Sequence, residues 1–136
     1  MNAALSPRTD PMSILVVEDF RLLRLSLVEW LKCRFPGCVV HGVESGEEAL
    51  KHCLAFRTDL VLMDINLTGI NGLEAASRVR AQVPETTVVM LSTHDTPHHR
   101  LAAKNAGATG YIAKHDMETQ LESTVERVLD SRRGKP

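Results

Sequence analysis

Two kinds of segment alternate along this chain, and they differ in their pattern of hydrophobic and polar residues. Five short runs are rich in branched apolar residues, which is typical of strands that a sheet buries on both faces. The predicted strands are SILVVE (13–18), CVVHGV (38–43), DLVLMD (59–64), TTVVML (86–91) and TGYIA (109–113).

The longer segments around these strands carry residues at helical spacing, so one side of each segment would face the sheet. Four helices are predicted from this spacing. The positions are Phe20, Leu23, Leu27, Trp30 and Leu31; Ala49, Leu50, Cys53 and Leu54; Leu73, Ala76, Val79 and Arg80; and Leu121, Val125, Val128 and Leu129.

Residues that start or stop helices agree with this division and indicate a fifth helix. Ser45 followed by Glu48 resembles a capping box. Thr96 followed by Pro97 resembles an N-cap with proline at the first helical position, and Gly107 suits the helix C-terminus. Five strands therefore alternate with five helices.

This alternation predicts an α/β fold, a doubly wound five-stranded parallel sheet with five helices on its two faces, because parallel strands need crossover connections. A length of 136 residues suits one domain. We expect that domain over residues 12–132, with a flexible N-terminal arm at 1–11 and a C-terminal tail at 133–136.

Composition limits the classes of function. The 16 basic and 17 acidic residues give a formal net charge of −1, which provides no general attraction to nucleic acid or anionic membranes. No segment resembles a secretory leader or reaches the roughly 18 apolar residues of a membrane span, so a cytoplasmic location is expected. The odd number and irregular spacing of Cys33, Cys38 and Cys53 predict reduced thiols.

Polar side chains occupy the predicted carboxyl ends of the strands, where ligands bind in an open parallel sheet. Glu18 and Asp19 end strand one, Asp64 ends strand three, Ser92 follows strand four and Lys114 follows strand five. Each residue alone has an ordinary interpretation as a turn former, a helix cap or a dipole partner. Together they are expected to face one crevice.

Three converging carboxylates repel one another, and a hard divalent cation such as Mg²⁺ relieves that repulsion. One carboxylate can then attack phosphorus and form an aspartyl phosphate, provided that the metal, Lys114 and Ser92 neutralise the developing charge. Asp64 lies at the centre of the arrangement and is the predicted nucleophile.

Four stretches of the chain resemble the receiver domain of two-component response regulators, which has a flavodoxin-like fold. They are ILVVEDF, DLVLMDINLTGINGLEA, VVMLST and AGATGYIAK, and the resemblance extends from about Met12 to Arg132. It implies metal binding by Glu18, Asp19, Asp64 and the backbone carbonyl of Asn66; phosphoryl acceptance by Asp64; phosphoryl contacts by Ser92 and Lys114; and an aromatic switch at Tyr111.

The resemblance also implies how such a chain works. A histidine kinase or histidine phosphotransfer protein would donate the phosphoryl group with Mg²⁺ as cofactor. The chain would act as a switch that supports its own phosphorylation and dephosphorylation, not as an enzyme. Tyr111 would turn toward Ser92 and reshape the face of helix four, strand five and helix five. A downstream protein or a second copy would bind there. Direct nucleic-acid binding by this chain and membrane association are not expected.

Several positions depart from the common receiver pattern. Thr68 stands where many receivers have proline, Thr93 where alanine is frequent, and His115 where proline often follows the lysine. Thr68 implies a more mobile loop, and Thr93 implies slower turnover of the phosphoaspartate. His115 removes the proline that would favour a cis peptide bond after the lysine.

The stretch GATGYIAKHDM resembles regulators with a C-terminal helix-turn-helix. No such element is present in the sequence, so a stand-alone receiver and a fragment of a longer regulator both stay open.

Two alternative functions also stay open. The stretch DINLTG (64–69) resembles the Asp-x-Asp-x-Thr motif of haloacid-dehalogenase-type phosphatases, which use an aspartate nucleophile, a lysine and magnesium. Asn66 in place of the second aspartate, and the location of the motif on strand three, count against this interpretation. The other alternative is a receiver-like interaction module that is never phosphorylated.

The stretch HDTPHHR (94–100) brings three histidines close together, and two histidines four residues apart on a helix can bind zinc. However, Pro97 lies inside this spacing and Thr96 is the predicted N-cap, so His94 is expected to precede the helix. A solvated helix start is therefore favoured over a metal site.

Overall fold

The computed structural model describes residues 10–134, and its five strands form one parallel sheet in the order β2-β1-β3-β4-β5. The predicted strands are confirmed, with every end within one residue of its expected position. They are β1 (Ser13–Val17), β2 (Val39–Val43), β3 (Leu60–Asp64), β4 (Thr87–Ser92) and β5 (Gly110–Ala113).

Helices connect the strands and cover both faces of the sheet, which confirms the doubly wound α/β architecture. A short 3-10 turn (Lys114–Asp116) leads from β5 into the last helix. The helices are α1 (Arg21–Arg34), α2 (Gly46–Ala55), α3 (Gly72–Gln82), α4 (Pro97–Asn105) and α5 (Met117–Arg132).

The predicted helix boundaries carry the expected hydrogen bonds. Ser45 Oγ accepts from the Glu48 N–H at 3.1 Å at the start of α2. Thr96 Oγ1 accepts from the His99 N–H at 3.2 Å at the start of α4. Gly107 follows α4 with a φ of +97°, a left-handed conformation that ends helices and favours glycine.

Two apolar layers cover the two faces of the sheet, because successive side chains of a strand point to opposite sides. One layer packs α1 and α5 against the sheet, and the other packs α2, α3 and α4 against it. Members of the first layer include Leu27, Leu31, Val125 and Leu129 with Ile14 and Val16, and members of the second include Ala49, Cys53, Ala76, Val79 and Ala103 with Leu15 and Val17. The strand order reverses at β1 and β3, which places a crevice at their carboxyl ends.

Two residues expected on inner helical faces are instead exposed. Phe20 is 61% exposed because its backbone is extended and it caps α1 rather than lying within it. Leu54 is 56% exposed. Ala49 and Cys53 of helix α2 face the sheet. Leu54 follows Cys53 directly, so its side chain points about 100° away from that direction around the helix axis.

The expected arm and tail lie largely outside the described residues, which begin at Asp10 and end at Gly134. The cysteines within this range are free thiols, as predicted. No helix between these limits is both long and apolar enough to span a membrane.

Candidate functional site

Polar side chains from four strands gather at the carboxyl edge of the sheet. Glu18 and Asp19 follow β1, Asp64 ends β3, Ser92 ends β4 and Lys114 follows β5. Glu18, Asp64 and Ser92 are buried, with 1%, 2% and 0% of their surface exposed. Asp64 pairs in register with Leu91, so Ser92 lies one residue further along the neighbouring strand.

The three carboxylates lie close enough to share one ion. Glu18, Asp19 and Asp64 each offer an oxygen, and these atoms all lie within 4.8 Å of one another. Asp19 is half-buried and the other two are buried. A set of oxygen ligands with this charge suits a hard divalent cation.

The ammonium of Lys114 bridges two of the carboxylates. Its Nζ lies 2.9 Å from Glu18 Oε1 and 3.3 Å from Asp64 Oδ1. Burial lowers the pKa of Lys114, but the hydrogen bond to Glu18 and the charge of Asp64 outweigh this, and the pKa is raised overall. A fixed positive charge therefore lies directly beside Asp64.

The carboxyl group of Asp64 titrates far from its usual range. Burial first, and then repulsion by Glu18, raises its pKa from 3.8 to about 6, although Lys114 and Asn66 oppose the shift. The Asn66 N–H donates to Asp64 Oδ1 across 3.3 Å. A carboxylate that burial and a like charge destabilise would gain strongly from a further cation.

Close backbone packing holds the end of β3. The N–H of Gly72, the first residue of α3, donates to the Ile65 carbonyl at 2.8 Å, and the Ile65 N–H donates to the Leu91 carbonyl at 3.1 Å. A Cβ on Gly72 would clash with the carbonyl oxygen of Asp64, so this approach requires glycine. Sequence reasoning missed Gly72, because a glycine after a strand resembles any turn residue.

The connection between β4 and α4 links Ser92 to Tyr111. Ser92 Oγ accepts from the His94 N–H at 3.0 Å, and the Tyr111 hydroxyl donates to the His94 carbonyl. The Arg100 guanidinium lies 4.8 Å from the centre of the Tyr111 ring, and Arg100 Nε lies 2.6 Å from Asp95 Oδ1. Tyr111 is therefore held at this connection. Arg100 was not singled out from the sequence, since its partners come from other elements.

The three histidines near α4 are distributed as the N-cap predicted. His94 precedes the helix, whereas His98 and His99 lie within it. The rings of His94 and His99 stack with their centres 4.7 Å apart, and Thr96 Oγ1 lies 2.6 Å from His99 Nδ1. Across residues 10–134, these histidines join no group of three metal-ligating side chains.

Comparison with known proteins identifies the family. A family model described as the response regulator receiver domain matches residues 14–126. The chain is 36% identical over 118 residues to the transcriptional activator protein ExaE of Pseudomonas putida, covering 87% of this chain and 55% of that protein. It is 30% identical over 122 residues to the response regulator UvrY of Escherichia coli strain K12, covering 90% and 56%. The chain thus spans little more than half the length of these curated relatives.

Solved structures have the same fold. A LuxR-family two-component response regulator from Aurantimonas sp. SI85-9A1 matches with a TM-score of 0.82 and 27% identity, over 90% of this chain and 88% of that chain. The response regulator protein TrrA of Thermotoga maritima, solved in complex with Mg²⁺-BeF, matches with a TM-score of 0.76 and 32% identity, over 86% and 98%. Sheet order, acidic edge and matched family model agree, and the chain belongs to the response regulator receiver domain family.

Proposed function

We propose that this receiver domain is a phosphorylation-dependent switch whose phosphoacceptor is Asp64. The proposal rests on the position of the Asp64 carboxylate, which is buried at the sheet edge beside two other carboxylates and the ammonium of Lys114. A histidine kinase or a histidine phosphotransfer protein would supply the phosphoryl group. Residues 12–132 would form the receiver, and switching rather than turnover of a substrate would be its activity.

The proposed transfer exchanges one bond to phosphorus for another. An oxygen of the Asp64 carboxylate attacks phosphorus, the new O–P bond forms, and the donor imidazole nitrogen keeps the electron pair of the N–P bond that breaks. Lys114, already 3.3 Å from Asp64 Oδ1, would neutralise charge on the phosphoryl oxygens. Ser92 would donate a hydrogen bond to them, because its oxygen accepts from His94 while its hydroxyl proton can still be donated.

The acidic residues fit a divalent cation. Glu18, Asp19 and Asp64 place oxygens within 4.8 Å of one another. The pKa of Asp64, raised to about 6 by burial and by the charge of Glu18, reflects a repulsion that a cation would offset. We assign Mg²⁺ to these three carboxylates and to the backbone carbonyl of Asn66. When bound, magnesium supplies positive charge to the oxygens of the transferring phosphoryl group.

The connection between β4 and α4 would transmit phosphorylation to the surface. A phosphoryl group adds about −1.5 to −2 charges at neutral pH and would draw Ser92 and Lys114 toward it. Because Ser92 and Tyr111 both hydrogen-bond to His94, movement of Ser92 would allow Tyr111 to turn toward the space that it leaves. The face of α4, β5 and α5 would then present a changed surface to a downstream protein or a second copy.

Transcriptional output is proposed only for a longer protein that contains this segment. ExaE is named a transcriptional activator, and this chain covers 55% of its length. The formal net charge of −1 gives the chain itself no general electrostatic attraction to DNA. We therefore propose protein contacts, and not nucleic-acid contacts, as its direct output.

Intact-mass measurement tests the phosphoacceptor assignment. Native, Asp64→Asn and Asp130→Asn chains would be incubated with acetyl phosphate, and separately with a phosphorylated histidine phosphotransfer protein, with and without MgCl₂. Asp130 lies on α5 with 47% of its side chain exposed and provides a matched carboxylate-to-amide control. We expect a single magnesium-dependent phosphoryl adduct on the native and Asp130→Asn chains, and none on Asp64→Asn.

Other outcomes would favour other interpretations. An adduct that persists in Asp64→Asn would overturn the assignment of the acceptor. No adduct from either donor, with Mg²⁺ binding demonstrated by calorimetry, would favour the unphosphorylated interaction module. Steady release of phosphate from p-nitrophenyl phosphate would favour the haloacid-dehalogenase alternative, against which the matched family model already counts.

A further inference from the structure

A second group of metal-ligating side chains lies outside the acidic site. Asp95, His115 and Asp116 each offer one ligand atom, and these atoms all lie within 4.8 Å of one another. His115 Nε2 is 3.4 Å from Asp116 Oδ2. None of the three has a role in the proposed phosphoryl transfer.

The three residues come from two parts of the chain that the sheet brings together. Asp95 lies in the connection between β4 and α4, whereas His115 and Asp116 lie in the 3-10 turn after β5. Strands β4 and β5 are hydrogen-bonded neighbours, with Ser92 opposite Ala113. An ion bound by all three residues would therefore tie together the two connections that leave the sheet at the proposed switch.

The ligand types and their spacing favour one kind of ion. Zinc bonds to imidazole nitrogen and carboxylate oxygen of about 2.0–2.2 Å place tetrahedral ligand atoms roughly 3.4 Å apart. The ligand atoms of Asp95, His115 and Asp116 lie up to 4.8 Å apart. Small rotations of these half-exposed side chains would bring the atoms to the spacing that zinc requires. A set with an imidazole favours a transition metal over Mg²⁺, which prefers oxygen ligands. We propose that Asp95, His115 and Asp116 bind a divalent transition-metal ion such as Zn²⁺, with water completing its coordination.

Arg100 shares the Asp95 carboxylate with the proposed ion. Its Nε lies 2.6 Å from Asp95 Oδ1, and its guanidinium lies 4.8 Å from the centre of the Tyr111 ring. An ion on Asp95 would weaken its attraction for Arg100, because the cation neutralises part of the carboxylate charge. Metal binding would thereby weaken the pair between Arg100 and Asp95, which lies beside the Tyr111 ring of the proposed switch.

Calorimetric titration with ZnCl₂ in excess MgCl₂ tests the site. Excess Mg²⁺ would occupy the acidic site, and the Asp64→Asn chain would show whether that site takes up zinc. His115→Ala removes the imidazole from a side chain that is 64% exposed, and its thermal unfolding would confirm that it folds. His98→Ala removes a neighbouring imidazole, and Cys33→Ser removes an exposed thiol, which is another zinc ligand.

The variants distinguish this site from the others. We expect one zinc ion per chain in the native, His98→Ala, Cys33→Ser and Asp64→Asn proteins, with affinity roughly tenfold or more weaker in His115→Ala and Asp95→Asn. Unchanged affinity in folded His115→Ala would overturn the proposal, as would loss of the site in His98→Ala or Cys33→Ser. Zinc binding that persists in Asp64→Asn would show that this site does not depend on the phosphoacceptor.

Discussion

The hydroxyl of Tyr111 in β5 donates a hydrogen bond to the backbone carbonyl oxygen of His94, which lies in the connection between β4 and α4. The N–H of His94 donates in turn to Ser92 Oγ at 3.0 Å. Arg100 holds the Tyr111 ring from another side, with its guanidinium 4.8 Å from the ring centre. For Tyr111 to turn toward Ser92, the hydrogen bond to His94 must break.

Tyr111→Phe should therefore strengthen the response of the chain to a phosphoryl mimic. The substitution keeps the aromatic ring beside Arg100 but removes a hydrogen bond worth about 0.5–1.5 kcal/mol. Magnesium-dependent binding of beryllofluoride, measured by calorimetry, should tighten roughly two- to tenfold. Ser123→Ala removes another exposed hydroxyl that donates to a backbone carbonyl, that of Gln120, and should leave the affinity unchanged. Equal affinities of the Tyr111→Phe and native chains would exclude this role for the hydrogen bond.

Asp64→Asn should stabilise the fold when Mg²⁺ is absent. The pKa of Asp64 is raised from 3.8 to about 6 in the folded chain. Protonated Asp64 therefore stabilises the folded state fully below pH 3.8, and this contribution is lost as the pH rises through about 6. An amide does not ionise and avoids that loss. At neutral pH the variant should be more stable by on the order of 2 kcal/mol in urea unfolding, and the difference should shrink toward about pH 4.

Saturating Mg²⁺ should reverse this order of stability. The native chain keeps all three carboxylates, and an ion that binds only the folded state stabilises that state by mass action. Asp130→Asn, a substitution of a half-exposed side chain on α5, should follow the native chain with and without Mg²⁺ at neutral pH. If the native chain were the more stable one without Mg²⁺, the proposed repulsion at Asp64 would be wrong.

The strands could be predicted because their signal is local. A run such as DLVLMD is apolar at consecutive positions, and every strand ends within one residue of the prediction. The edge at which Asp64 and Lys114 meet could also be predicted, since parallel strands share one direction. The exposure of Phe20 could not, because the residue at which a helix begins decides which positions face the sheet.

Contacts between distant side chains could not be predicted from spacing. Arg100 meets Tyr111, and Arg132 meets Asp59, although the latter pair is separated by 73 residues. Whether two such side chains make contact depends on how their helices and strands are rotated relative to each other, and the packing of the core determines that rotation. The need for glycine at position 72 could not be predicted for a related reason, since it arises where α3 approaches the end of β3.

The pair between Arg132 and Asp59 should stabilise the end of α5 against the sheet. Asp59 is fully buried, and its carboxylate accepts from the Ser13 N–H at 2.9 Å and from Arg132 Nη2 at 3.2 Å. Arg132→Ala removes one of the cations near this buried carboxylate and should lower the free energy of unfolding by about 1–3 kcal/mol, because it breaks a charge-assisted hydrogen bond. Arg133→Ala breaks an exposed pair with Asp130 and should lower the free energy of unfolding by less than about 0.5 kcal/mol. Equal losses in urea unfolding would contradict this assignment.

Gly72→Ala should disturb both stability and phosphoryl acceptance. In most helical positions alanine is more stable than glycine by up to about 1 kcal/mol. At Gly72, however, the added Cβ would lie 2.7 Å from Ile65 Cα and would clash with the Asp64 carbonyl, so the backbone must shift. We expect a loss of about 1–3 kcal/mol in urea unfolding and slower magnesium-dependent phosphorylation by intact mass. Gly37→Ala adds the same methyl group with nothing within 4 Å, and equal behaviour of the two variants would show that this packing does not position Asp64.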